Sequence, residues 1–251
     1  MTDGFRTQIE TIGSNVSFGL TEELFAGIDR FDVVSLIHCI EHIPAPADYL
    51  RCVKQHLAKD GVLLIQVPDA ELNPFDLIVG DHSSHFFKVT LRDQVEAAGY
   101  EVLACGNLVI DKEITLLARP LLRQQATDLH TSQGGAIDVA RRNLAWLDAT
   151  LECGERLADG TRPLGVFGTG IAGIWIGNVI GNNLDFYCDE DEVRVGRDYF
   201  GVPIIAPSAI PVGATVFVCL EPKLAKAIAD RHSLPDRHFV VPPPVAVTAT
   251  L

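Results

Sequence analysis

His38, Glu41 and His42 stand in the order H-x-x-E-H. On one uninterrupted helix that spacing turns two imidazoles to a single face, where they can bind zinc while the glutamate acts as a base. A second group follows at Asp81, His82 and His85. An imidazole changes charge near neutral pH, and an adjacent carboxylate can orient it for proton transfer. A third is Gly168-Thr169-Gly170-Ile171-Ala172-Gly173, with Asp189 sixteen positions beyond the last glycine. In G-x-G-x-x-G the glycines let backbone approach a phosphate at a helix N-terminus, and the later acid suits a ribose hydroxyl.

The elements around each group decide which chemistry is open to it. FDVVSLI, residues 31–37, is a β-branched apolar run that suits a strand buried on both faces. Ala47, Leu50, Val53 and Leu57 then recur at helical spacing, closed by Lys59-Asp60-Gly61. Val62 to Val67 is a second buried strand ended by Pro68, Thr90 to Ala98 a helix stopped at Gly99, and Tyr100–Ala104 and Glu113–Ala118 two further strands. This alternation predicts an α/β sheet with parallel strands. A strand leads into His38, and Pro44 and Pro46 break the chain just after His42, so the histidine pair lacks its helix. No third ligand stands out in the sequence, and no metal is expected.

Between 120 and 160, Ile137, Ala140, Leu144, Leu147 and Leu151 are spaced 3, 4, 3, 4. That predicts a helix packing one face on a domain, with a dimerisation seam as the alternative. From Leu164 a second α/β pattern begins: LGVFG, the glycine turn and a helix, LDFYCDED, GVPII, ATVFVCL, the helix PKLAKAIADRH and a last strand HFVVP. The expected organisation is a first α/β domain over 1–119, a helical connector over 120–160 and a second, smaller Rossmann-like domain over 161–251.

The whole chain excludes several classes of function. Its formal net charge of −13 repels phosphate backbones, so no nucleic-acid partner is expected. No apolar run approaches the roughly 18 residues of a membrane span. The N-terminus lacks the basic-then-apolar signal pattern, and a cytoplasmic location is expected. The six cysteines contain no C-x-x-C pair, which favours buried reduced thiols.

The stretch FDVVSLIHCIEHIPAPADYLRCVKQHLAKDGVLLIQVPD resembles the fourth strand, following helix and fifth strand of class I S-adenosylmethionine-dependent methyltransferases, and the likeness extends to about Ala118. It implies a partial class I methyltransferase sheet. It also implies S-adenosylmethionine as cofactor, with His38, Cys39, Glu41 and His42 flanking its methionine part at the carboxyl ends of the strands. The alternative is that Glu41 and His42 only satisfy backbone groups in the turn. VGDHSSHFFKVTL is similar to the Tyr-x-Glu-His stretch of deoxysugar C-methyltransferases, with Val79 where the tyrosine would be. That implies His82 as base and Asp81 as its partner, with His85 close by. The second α/β unit resembles the domain behind sugar C-methyltransferases, down to the G-x-P-I segment Gly201-Val202-Pro203-Ile204. By that likeness Gly168, Thr169, Gly170 and Gly173, with Asp189, face a nucleotide or sugar phosphate.

One departure bears on the cofactor. Only 30 residues precede Phe31, and a single βαβ unit needs about that many. NVSFGLTEEL suits a third strand and its turn, but the first strand, the glycine loop and the ribose acid of the family have no counterpart. A fragment, an internal start or a degenerate scaffold is therefore expected, with a second copy or a partner chain covering the sheet edge. The resulting expectation is an S-adenosylmethionine-dependent, C-methyltransferase-like enzyme acting on a nucleotide-linked sugar or similar small molecule. The alternatives are a non-catalytic sugar-nucleotide-binding module and an NAD-dependent oxidoreductase, although no Tyr-x-x-x-Lys follows the glycine motif.

Overall fold

The computed structural model describes residues 30–121, 133–160 and 163–245. FDVVSLI forms β1 (Phe31–Ile37), which pairs in parallel with β2 (Leu57–Pro68), Val33 opposite Val62 and Ile37 opposite Gln66. The crossover is α1 (Pro46–Gln55). Pro46 lies in its first turn, where a missing N–H costs nothing, and the helix buries Leu50 and Val53. The helix is shorter than its apolar spacing predicts. Leu57 belongs to β2, and Lys59-Asp60-Gly61 lies inside that strand, where the register is irregular between Phe31 and Val33.

Next come α2 (Lys88–Ala97), β3 (Tyr100–Gly106) and β4 (Glu113–Pro120), giving the sheet order β1-β2-β4-β3. The α/β class expected from the sequence is the one adopted, but the all-parallel expectation is corrected. β4 runs antiparallel to both β2 and β3. The reason is connection length: residues 107–112 can close a hairpin, whereas a parallel return needs a crossover of a dozen residues or more. The core beneath this sheet joins Leu50, Val53, Ile65, Leu91 and Leu116 to Tyr100, whose hydroxyl donates to the Leu50 carbonyl at 2.9 Å. Among the described residues β1 is an edge strand, and its expected burial on both faces is corrected: Leu36 is buried, but Val33 and Ile37 are exposed. The candidate strand at 15–24 lies outside them.

The helix expected between the two units is α3 (Gln133–Ala158), but its buried stripe is rotated from the predicted seam. Ile137 and Leu144 are exposed, whereas Asn143 and Thr150 are fully buried along with Trp146 and Leu147. Hydrophobic periodicity misses this because the buried polar groups are satisfied. Asn143 donates to the carbonyls of Ala70 (2.7 Å) and Glu71 (3.3 Å), and the Thr150 hydroxyl donates to the Trp146 carbonyl (2.8 Å). Asn143 thereby ties α3 to the loop that follows β2. Asn143→Ala leaves those carbonyls without their donor and is expected to cost about 1–3 kcal/mol in urea denaturation. Leu144→Ala, one position along, is expected to stay within about 0.5 kcal/mol.

The second sheet contains β5 (Leu164–Phe167), β6 (Phe186–Cys188), β7 (Asp198–Tyr199), β8 (Val202–Ile205), β9 (Thr215–Phe217) and β10 (His238–Val240). Its order is β10-β9-β5-β6-β8-β7, parallel except for the short β7, which the sequence did not reveal. α4 (Ile171–Ile180) follows β5, and α5 (Pro222–His232) follows β9. β5 neighbours both β6 and β9, so the chain reverses its direction of winding there, and the glycine turn sits at the carboxyl end of that strand. The two sheets are stitched together by Phe75, from the loop after β2. Its ring meets Trp146 at 5.2 Å and Trp175 at 6.2 Å in edge-on contacts.

Cys188 and Cys219 are buried, and burial pushes the Cys188 thiol up to about 12, but Cys52 is exposed. Among the described residues no helix is long and apolar enough to cross a membrane.

Candidate active site

His38, the residue after β1, takes a left-handed conformation with φ 46° and so turns the chain away from the strand direction. Non-glycine residues rarely hold this geometry, and it costs of order 1–3 kcal/mol unless the surroundings enforce it. Here the His38 N–H donates to the Gln66 carbonyl at 2.9 Å. Its ring nitrogens face Glu41 Oε1 at 3.3 Å and Glu113 Oε1 at 3.1 Å. A single 3-10 turn, Ile40–His42, follows. It is too short to set His38 and His42 on one face, so the H-x-x-E-H spacing does not bring that pair together. Cys39 beside them has its thiol pushed up by burial and by the Glu41 charge, against a hydrogen bond with Tyr49.

The loop after β2 lies against this turn, with the Ser84 N–H donating to the Glu41 carbonyl at 3.1 Å. Asp76, buried in a second 3-10 turn (Pro74–Ile78), places one carboxylate oxygen 2.8 Å from His82 Nδ1 and the other 2.9 Å from His85 Nδ1. The expected pairing of His82 with Asp81 is thus corrected. Asp81 meets His42 instead, its carbonyl 3.1 Å from His42 Nδ1. The physical reason is burial. Asp81 is largely exposed, whereas Asp76 is withdrawn from water and needs donors for both oxygens. The rings of His42 and His82 are 4.9 Å apart at 81°. Of the two imidazoles on Asp76, His85 is 30% exposed and His82 only 9%. A ligand can therefore reach His85. His85 also lines a cavity of 510 Å³ together with Phe86, Phe87 and Ala136.

Sequence reasoning missed Asp69 and Asp76. Asp69, fully buried just after β2, accepts from Lys88 Nζ at 2.9 Å and Asn107 Nδ2 at 3.0 Å. Burial would lower the Lys88 ammonium, but its bonds and charge pairing with Asp69 and Glu71 outweigh this and raise it. An acid next to a strand-ending proline and another just after Pro74 were the available signals. Beside this end of the sheet a cavity of 580 Å³ is lined by His38, Pro68, Asn73 and residues 109–113. Asn73 and Lys112 also line a smaller one of 180 Å³, whose far wall is Gly168, Gly170 and Gly173.

In the glycine turn, Gly168 has φ +87° and donates its N–H to the Cys188 carbonyl at 2.6 Å. A Cβ on Gly173 would lie 2.0 Å from the Gly168 carbonyl oxygen, so only glycine fits where α4 meets the turn. Asp189 closes the turn from β6, accepting from the Thr169 N–H (2.9 Å) and the Thr169 hydroxyl (2.5 Å), with Arg194 at 3.4 Å. Burial raises the Asp189 carboxyl, but the Thr169 hydroxyl, the Asp191 and Thr169 N–H groups and Arg194 together hold it below the usual carboxylate range. Its stabilising effect is therefore full above the unfolded value near 3.8 and lost as pH falls through the lower folded value. Asp189→Asn is expected to lower stability at neutral pH by about 1.5–3 kcal/mol, the worth of hydrogen bonds to a charged group. The gap between variant and parent in urea unfolding should close in acid.

No curated protein matches the chain. Among solved structures, it is similar to a chain in a complex of the Haloferax volcanii Trm112 methyltransferase activator with a candidate methyltransferase, at 12% identity and TM-score 0.33, covering 39% of this chain and 57% of that one. It is also similar to an S-adenosylmethionine-dependent methyltransferase from Clostridium acetobutylicum, at 10% identity and TM-score 0.31, covering 43% of this chain and 62% of that one. The pyocyanin biosynthetic protein PhzM is a third, at 16% identity and TM-score 0.31, covering 37% and 31%. The chain thus spans less than two thirds of each of these three proteins. Residues 6–104, which include β1, α1, β2, α2 and the start of β3, match the family model of the methyltransferase domain.

Proposed function

We propose that the chain is an S-adenosylmethionine-dependent methyltransferase component whose acceptor is a nucleotide-linked sugar or a similar small molecule that must lose a proton. The observation that carries this reading, beside the methyltransferase-domain match, is Asp76 holding His82 and His85 next to the exit of β1. Methyl transfer is an in-line displacement, in which positioning supplies most of the rate. The donor brings the methyl group on a cationic sulfonium. The acids Glu41, Asp111 and Glu113 around His38 suit that charge and the ammonium of its methionine part. His38, Cys39, Glu41 and His42 flank it at the carboxyl ends of β1 and β2. On the acceptor side His85 takes the proton, and Asp76 fixes its tautomer by accepting from Nδ1. Asn73 and Lys112 line both the cavity beside His38 and the smaller one at the glycine turn. A lysine and a helix N-terminus facing one another suit the phosphate of a nucleotide-linked acceptor.

The oxidoreductase reading is disfavoured by Asp189, whose carboxylate is already engaged by Thr169 and Arg194 rather than presented to a ribose. Calorimetric titration of the chain with S-adenosylmethionine, its demethylated product, NAD(H) and a nucleotide sugar tests the assignment. Micromolar binding of the donor and its product is expected. Binding of the sugar nucleotide alone would favour a non-catalytic module, and binding of NAD(H) would restore the oxidoreductase.

A further inference from the structure

We propose that Glu41, His42 and His82 bind one divalent transition-metal cation. One ligand atom from each of the three lies within 4.8 Å of the others. The hydrogen bonds around them engage one ring nitrogen of each histidine. A backbone carbonyl can only accept, so His42 Nδ1, 3.1 Å from the Asp81 carbonyl, carries the proton and leaves Nε2 with its lone pair. His82 Nδ1 is likewise spent on the Asp76 carboxylate at 2.8 Å, which leaves its Nε2 as the nitrogen with a lone pair. Imidazoles oriented through one nitrogen by a carbonyl or carboxylate, with the other free, are the usual outer arrangement of a metal site.

Glu41 supplies the independent observation. The side chain is 1% exposed and its Oε1 faces His38, but its buried Oε2 has no hydrogen-bond partner among the described residues. A carboxylate oxygen withdrawn from water and left unpaired is costly, and a cation between it and the two imidazoles removes that cost. The neighbouring group of Asp76, His82 and His85 is also close-set, but both oxygens of Asp76 are already bonded to ring nitrogens. The vacant lone pairs belong to the first set.

Two imidazoles and one carboxylate suit zinc, iron(II), cobalt(II) or manganese, and not calcium or magnesium, which prefer all-oxygen shells. The sequence predicted no metal because it offered only the His38–His42 pair. The third ligand comes from the loop after β2, and the helix that pair required is replaced by a 3-10 turn. If the methyl-transfer reading above holds, the remaining coordination positions take an oxygen of the acceptor and polarise it while His85 accepts the proton.

Cobalt(II) is the probe, titrated into the full chain near neutral pH and followed by visible d–d absorption and calorimetry. One equivalent is expected to bind. Glu41→Gln and His42→Asn should each weaken binding by at least about 100-fold, more than the 10–100-fold typical of an outer partner such as Asp76→Asn. His85→Asn should leave it within about threefold of the parent, since His85 is no ligand in this proposal. Circular dichroism confirms that each variant is folded. Should Glu41→Gln fail to fold, His42→Asn carries the test. The proposal is overturned by a folded parent that binds no cobalt, by binding that survives both ligand variants, or by binding lost in His85→Asn. The cobalt spectrum needs no methyl donor. A chain that binds cobalt but not S-adenosylmethionine refutes the methyltransferase reading alone, and the reverse refutes the metal site alone.

Discussion

His85→Asn is expected to lower kcat for methyl transfer by about 100-fold or more while leaving the dissociation constant of S-adenosylmethionine unchanged within about twofold. The asymmetry follows from position. His85 faces the cavity on the helical side of the site, whereas the donor's methionine part is assigned to the end of β1, around His38 and Glu113. Asparagine keeps a polar group near Asp76 and most of the shape, but cannot accept a proton and release it near neutral pH. The measurement is transfer from a methyl-labelled donor to a panel of nucleotide-linked keto sugars, with donor binding read separately by calorimetry. A parallel loss of donor binding would mean that His85 shapes the donor pocket instead. An unchanged kcat would remove it from the chemistry. His82→Asn is a poorer probe of the base, because His82 is nearly buried and, in the metal proposal, is a ligand.

The second large effect is structural. Gly173→Ala is expected to destabilise the second sheet by about 3 kcal/mol, at the upper end of what overpacking costs. The added methyl would meet the Gly168 carbonyl oxygen at 2.0 Å and its carbon at 2.9 Å. Neither atom can retreat, because Gly168 is held at φ +87° and its N–H is bonded to Cys188. Gly170→Ala is the internal control. It has nothing within 4 Å of a Cβ and an ordinary φ of −81°, so a change below about 1 kcal/mol is expected. Urea unfolding of both variants decides the matter. Equal effects would show that the turn tolerates a side chain at its helix junction, and close backbone approach would no longer explain the motif.

The glycine motif illustrates what is legible locally. Its strand, turn and helix, and Asp189 at the end of the following strand, were all read from spacing. What Asp189 does was not legible, because its partners Thr169 and Arg194 are decided by how two loops meet at the carboxyl ends of β5 and β6. The same division runs through the first sheet. The β-branched run of β1 and the apolar spacing of α1 announced themselves through composition and periodicity, which depend only on near neighbours in the chain, but the exposure of Val33 and Ile37 on β1 did not. The antiparallel insertion of β4 between β2 and β3 did not, since it is a pairing of distant segments.

The sequence by itself determined that the chain is an α/β protein, that His38–His42 follow a strand and the 81–85 histidines a loop, and that the H-x-x-E-H pair could not share a helix. Those conclusions rest on local rules: strand composition, proline and the 3.6-residue period. Only the tertiary structure decided that Asp76 rather than Asp81 orients His82, that His85 is the reachable imidazole, and that α3 buries Asn143 instead of Leu144. Each of these is an outcome of burial. A polar group is drawn inside when a partner from another part of the chain satisfies it, and no spacing along the sequence records where that partner lies.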